Sequence, residues 1–137
     1  MLEFQDLNYW AILVAWLVYT SVGAYWYSPA GFGKLWAKLS GVNHMKTPQD
    51  EATRSIVAVS VAALFQALVL AVVIDSLGAS TMVEGLKLGV VLWFGLTALT
   101  TVGNTLYMRL GWKFWWLNSS YFLLVMTINS VILAVWQ

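Results

Sequence analysis

Four long runs of apolar residues dominate the hydropathy pattern of the chain, and short polar segments separate them. The runs cover about residues 7–26, 54–77, 85–108 and 114–136. Each is long enough for an α-helix to cross a hydrocarbon core of about 30 Å, which takes roughly 20 residues. The pattern predicts an all-α integral membrane protein. Its four transmembrane helices would form two antiparallel hairpins within a single domain, residues 1–137.

A short amphipathic segment follows the first apolar run, at about residues 30–40. Its apolar positions have the i, i+3, i+4, i+7 spacing of one helix face, and they are Phe32, Leu35, Trp36 and Leu39. Lys34 and Lys38 lie off this face. The pattern predicts a helix in the membrane interface, where basic side chains meet anionic lipid. The alternative is an ordinary connecting turn that is apolar by chance.

Capping residues mark the ends of the predicted helices. The segment Thr81-Met82-Val83-Glu84 has the form of a capping box that opens the third helix. Gly78 and Gly111 are suited to ending a helix. Before the second helix, Thr47 has a hydroxyl suited to an N-cap, and Pro48 is suited to the first helical position. We therefore expect the second helix to begin several residues before the membrane.

Composition supports a membrane location. The chain is 61% hydrophobic and 9% charged, whereas soluble domains carry about 25% charged residues. The absence of Cys excludes a disulfide framework, a thiolate nucleophile and a cysteine-based metal site. A net charge of +1 argues against a nucleic-acid partner.

The basic residues predict the orientation of the chain. Six of the seven lie in the two loops that share one side of a four-helix chain, and these are Lys34, Lys38, Lys46, Arg54, Arg109 and Lys113. The positive-inside rule places these loops in the cytoplasm and both termini outside. Tryptophans near both ends of the predicted spans agree with an aromatic belt at the two interfaces.

No charged side chain lies near the middle of a predicted span, because Asp75, Glu84 and Lys87 are at span ends. The polar candidates inside the bilayer are neutral. The set consists of Tyr19, Gln66, Thr97, Thr100, Asn104, Asn118 and Asn129. Because amides and hydroxyls in hydrocarbon need partners, these residues either bond helices to one another or line a polar path or ligand pocket. Asn104 and Asn118 are each seven residues from Gly111. We expect them to turn inward and bond across the last hairpin.

Glycines indicate where helices approach closely, and the candidates are Gly23, Gly85, Gly89 and Gly103. Gly85 and Gly89 form a small-residue pair four positions apart. Gly23 and Gly103 belong to a T-[ST]-V-G-x-x-x-Y phrase that occurs twice, at Thr20–Tyr27 and Thr100–Tyr107. The repeat indicates either a duplicated hairpin or a chance similarity between apolar helices.

The most specific motif lies between the first apolar run and the amphipathic segment. It comprises Trp26, Tyr27, Ser28, Pro29, Phe32, Gly33, Lys34 and Trp36. Together with the Asn8–Leu13 opening, it resembles the small bacterial membrane proteins grouped as the domain of unknown function 1761 family. The resemblance implies a four-helix, multi-pass protein of the bacterial cytoplasmic (inner) membrane, and it supplies no catalytic residue.

These observations favour a non-enzymatic membrane subunit without a catalytic, cofactor or metal site. Its expected partners are membrane lipids and either a second copy or another membrane protein. The alternative is a small transporter or channel for a neutral or amphipathic solute, with a path lined by amides and hydroxyls. An enzyme acting on lipid would need His44 and Asp50 to converge on one pocket.

Overall fold

The computed structural model describes residue 4, residues 6–43 and residues 46–137. These residues form five helices and, among them, no strand. The helices are α1 (Tyr9–Trp26), α2 (Gly33–Ser40), α3 (Gln49–Ser76), α4 (Met82–Tyr107) and α5 (Gly111–Val135). All except α2 are long and apolar enough to cross a membrane. The predicted fold class, including the short helix after the first span, is confirmed.

α5 is the central helix of the bundle and packs against each of the other four. α1 also packs against α3, so the chain forms the two predicted hairpins, α1 with α3 and α4 with α5. Small and branched side chains fill the core between α1, α3 and α5, among them Ala11, Ala15, Ala67, Ala71, Ile74 and Leu133. Alanines in these positions let the helix backbones approach closely, as is typical of membrane helices.

The middle of α4 is a π-helical segment, Trp93–Ala98, which the hydropathy pattern does not predict. Indole hydrogen bonds to and from α5 mark its two ends. The Nε1 of Trp93 donates to the Ser119 carbonyl at 2.8 Å, and the Nε1 of Trp115 donates to the Ala98 carbonyl at 3.1 Å. The two bonds fix the register between α4 and α5 on both sides of the wider turn.

Two of the predicted packing glycines lie at the contact between α4 and α5. A Cβ added to Gly85 would lie 2.6 Å from the Ser130 carbonyl oxygen, and one added to Gly89 would lie 2.8 Å from the Cα of Thr127. The prediction for Gly103 is wrong. This residue is exposed, and a Cβ there would meet nothing within 4 Å.

The helix ends follow the predicted capping with two exceptions. The Thr81 hydroxyl accepts from the Glu84 amide, and the Glu84 carboxylate accepts from the Thr81 amide, which confirms the capping box. Gly78 follows the end of α3 with a φ angle of 66°, as predicted. The prediction that Gly111 ends a helix is wrong, because it is the first residue of α5, and the left-handed residue after α4 is Arg109, with a φ angle of 58°. The predicted Thr47 cap is wrong, because Pro48 is the N-cap of α3 and no side chain caps that end.

Candidate functional site

An aromatic cluster joins α1, α2 and α5 at the end of the bundle where α2 lies, which we term the α2 end. The cluster consists of Tyr19, Trp26, Tyr27, Phe32, Trp36, Phe114 and Tyr121. Its ring centroids lie 4.6 Å apart for Trp26 and Phe32 and 5.3 Å apart for Tyr27 and Tyr121. These separations fall in the range that favours tilted and edge-to-face ring pairs. The cluster therefore holds α2 against the two spanning helices.

Two tyrosine hydroxyls bond the helices of this cluster together. Tyr121 on α5 donates to the Tyr19 carbonyl of α1 at 2.9 Å, and Tyr27 donates to the Oδ1 of Asn118 at 2.5 Å. Gly23 provides the space for the first bond, because a Cβ there would lie 2.8 Å from the Tyr121 hydroxyl. Gly23 is therefore a packing glycine, and its neighbour is a side chain.

The sequence motif forms the compact turn between α1 and α2. The Ser28 hydroxyl donates to the Tyr25 carbonyl at 2.7 Å and accepts from the Gly31 amide at 3.3 Å. A Cβ at Gly31 would collide with the last carbonyl oxygens of α1, and one at Gly33 would collide with the carbonyl oxygens of Tyr27 and Ser28 in the turn itself. The motif is thus a folding element, and it brings Phe32 and the rest of α2 back toward α5.

A groove of about 400 Å³ separates α2 from the first turns of α5. Its lining residues are Trp26, Phe32, Leu35, Leu39, Lys113, Trp116, Leu117 and Ser120. Six of these eight side chains are apolar, and Lys113 is the one charged group in the lining. The volume lies within the range of about 300–1,000 Å³ that is common for small-molecule sites.

The polar residues within the spans do not converge on one pocket. Thr97 bonds the Met126 sulfur at 3.4 Å, Asn118 bonds Tyr27, and Asn129 is buried with its Oδ1 unpartnered. None of the seven predicted residues lines the groove or the small cavity found at the opposite end of the bundle. Gln66 is half-buried, whereas Thr100 and Asn104 are exposed.

The predicted bond between Asn104 and Asn118 is wrong. Asn104 lies on the exposed face of α4, while the Asn118 carbonyl accepts from α1 instead of α4. The equal spacing from Gly111 fixes the depth of both residues along their helices, but it does not fix the direction in which either side chain points. His44 lies outside the described residues, and Asp50 is exposed in the first turn of α3.

The α5 wall of the groove was not among the predicted site residues. Its four members, Lys113, Trp116, Leu117 and Ser120, have the same i, i+3, i+4, i+7 spacing as the apolar face of α2. This spacing shows that the four residues share one face of α5, but it does not show that this face lies opposite α2. Buried hydroxyls without a partner, at Ser119, Thr127 and Ser130, were also missed.

Comparison with known proteins gives a family without an assigned activity. No curated protein and no solved structure matches the chain. The sequence profile of a family described as protein of unknown function, DUF1761, matches residues 10–134. The match runs from the first turn of α1 to the last turn of α5 and includes the motif turn and both walls of the groove. The chain therefore belongs to the DUF1761 family.

Proposed function

We propose that the protein is a non-catalytic membrane subunit that binds a phospholipid in the groove between α2 and α5. The observation that carries the proposal is the lining of the groove, which is apolar except for Lys113 and Ser120. This distribution fits an amphipathic ligand, with its hydrocarbon part against the aromatic and leucine side chains.

The position of the groove supports a ligand that comes from the membrane. Its walls are one face of a short amphipathic helix and the first turns of a helix long enough to span a bilayer. Phe32, Leu35 and Trp116 remain 42%, 45% and 58% exposed. Large apolar side chains at the end of a spanning helix suit the boundary between headgroups and acyl chains. We place this end at the cytoplasmic surface because six of the seven basic residues lie there.

Self-association is a second candidate function, and the free face of α4 supports it. Thr100, Gly103 and Asn104 are exposed there, on the side of the helix that does not pack against α5. Hydroxyls and amides on a membrane helix gain hydrogen bonds when a second helix covers them. Transport of a solute has less support. Some of the polar residues lie at separate helix contacts and others on the exposed surface, so they do not line one continuous path.

Native mass spectrometry tests the lipid proposal directly. The protein would be reconstituted in vesicles of defined phospholipids, extracted in a mild detergent, and weighed with its retained lipid. We expect about one phospholipid per chain. Ser120→Phe should lower this retention because the added ring occupies the groove.

Ser21→Phe is the matched control, since Ser21 is an exposed residue of α1 that does not line the groove. It should retain lipid as the unchanged protein does, and circular dichroism should show equal helix content in all three proteins. Complete loss of lipid from the unchanged protein, or equal retention by Ser120→Phe, would contradict the proposal.

A further inference from the structure

The groove is charged at one end only, where Lys113 lies. Lys113 is the third residue of α5, and Ser120 follows seven residues later. At a rise of 1.5 Å per residue, the two lie about 10 Å apart along the helix axis. The lining contains no carboxylate that would neutralise Lys113. The groove therefore runs from a positive site near the helix terminus to an uncharged, mostly apolar stretch that includes Ser120.

The apolar walls cannot by themselves select one lipid from the surrounding bilayer. Lipid tails are as apolar as leucine, so moving an acyl chain from the bilayer into the groove gains little hydrophobic free energy. Discrimination between phospholipids must come from the end that holds the headgroup. In this groove that end is Lys113.

We infer that the groove selects phospholipids with an anionic headgroup, whose phosphate lies against Lys113 while one acyl chain lies along α2 and α5. This inference rests on the proposed function. Lys34 and Lys38 are exposed on α2, each one position before a groove leucine, Leu35 or Leu39. Two further cations therefore lie on the helix that forms the other wall of the groove. Each basic residue near an anionic lipid surface contributes favourably.

The start of α5 adds to this positive potential. No side chain caps its N-terminus, and its first turn contains no acidic residue. The first amides of a helix lack partners within the helix, and they form the positive end of the helix dipole. A phosphate beside Lys113 would meet both the ammonium group and this helix end.

A competition between two lipids tests the inference. The protein would be reconstituted in equimolar phosphatidylglycerol and phosphatidylcholine with identical acyl chains, and the retained lipid would be identified by native mass spectrometry. We expect the unchanged protein to retain the anionic lipid about fivefold more often. Lys113→Gln should lower this ratio by about half or more, and changing Lys34 and Lys38 to Gln as well should bring it to nearly one. Total retention should stay close to one lipid per chain in both variants.

Lys87→Gln is the matched control, because Lys87 is exposed near the start of α4, at the opposite end of the bundle. It should keep the preference for the anionic lipid. Equal retention of both lipids by the unchanged protein, or a preference that Lys113→Gln leaves unchanged, would overturn the inference and leave the lipid groove standing. Retention of neither lipid would overturn the proposed function and the inference together.

Discussion

Replacing Gly85 with alanine should separate α4 from α5, the two helices with the most extensive contact in the bundle. The new Cβ would lie 2.6 Å from the Ser130 carbonyl oxygen and 2.9 Å from both the Cα of Val131 and the Cβ of Ala134. The first distance is 0.8 Å short of ordinary contact at 3.4 Å. Two of the three obstacles are backbone atoms of α5, so no rotamer change relieves the clash and the helices must move apart.

The magnitude follows from two opposing effects. Over-packing a tight contact costs about 1–3 kcal/mol, and a clash with backbone belongs near the upper end of that range. Alanine is better than glycine in a helix by about 0.8–1.0 kcal/mol. We therefore expect Gly85→Ala to lower the free energy of unfolding by about 1–2 kcal/mol.

Gly103→Ala is the matched control in the same helix. A Cβ at Gly103 would meet nothing within 4 Å, so only the helix propensity acts there. This variant should gain up to about 1 kcal/mol. The double variant Gly85→Ala with Gly89→Ala should lose less than the sum of its single changes, because one displacement of α4 relieves both clashes.

The measurement is reversible unfolding in mixed micelles with an increasing fraction of dodecyl sulfate, followed by circular dichroism. The free energies of unfolding of Gly85→Ala and Gly103→Ala should differ by about 2–3 kcal/mol. If the two variants are equally stable, the close approach of α4 to α5 at Gly85 is not what holds them together.

Three further predictions concern the α2 end. Gly23→Ala should destabilise the protein less when Tyr121 is also changed to Phe, because the hydroxyl that the new Cβ would meet at 2.8 Å is then absent. Additive losses of stability in a double-mutant cycle would contradict this. Tyr27→Phe and Asn118→Leu should each cost about 0.5–1.5 kcal/mol, and the double variant should cost less than their sum, because each single change leaves one partner of their hydrogen bond unpaired. In the chain, which has no cysteine of its own, Ser40→Cys should react with an impermeant maleimide from the cytoplasmic side alone; labelling from outside alone would reverse the predicted orientation.

The number, length and ends of the spanning helices could be predicted because they depend on properties of the chain itself. A run of about 20 apolar residues is visible without any knowledge of packing. The capping box at Thr81 and the turn at Gly78 act within a few residues of their own position. The start of α2 follows from its amphipathic spacing in the same way.

The neighbours of each helix could not be predicted, since in a membrane the hydropathy pattern does not show which face of a helix packs against another helix. A helix face against lipid and a face against another helix are both apolar, so periodicity does not distinguish them. Gly85 and Gly103 therefore looked equivalent, although only Gly85 packs against α5. For the same reason, the sequence could not predict that α5 is the central helix or that Asn104 is exposed.

Only the α2 wall of the candidate site could be predicted from the sequence. The apolar face of α2 was visible in its spacing, whereas Lys113 was interpreted through its charge alone, as a marker of orientation. The groove exists because the aromatic cluster brings α2 against α5, through contacts such as Trp36 with Phe114. Those two residues are 78 positions apart in the sequence, and no local pattern connects them.

Helix packing and the proposed lipid binding involve different stretches of α5, so the two can be tested separately. The groove takes residues 113–120, while the closest approach to Gly85 occurs at Ser130, Val131 and Ala134. Ser120 and Ser130 are ten residues apart, about 15 Å along the helix. Gly85→Ala should therefore lower stability and leave the preference for anionic lipid intact. If it removes the retained lipid while the protein stays folded, the lipid binds between α4 and α5 and not beneath α2.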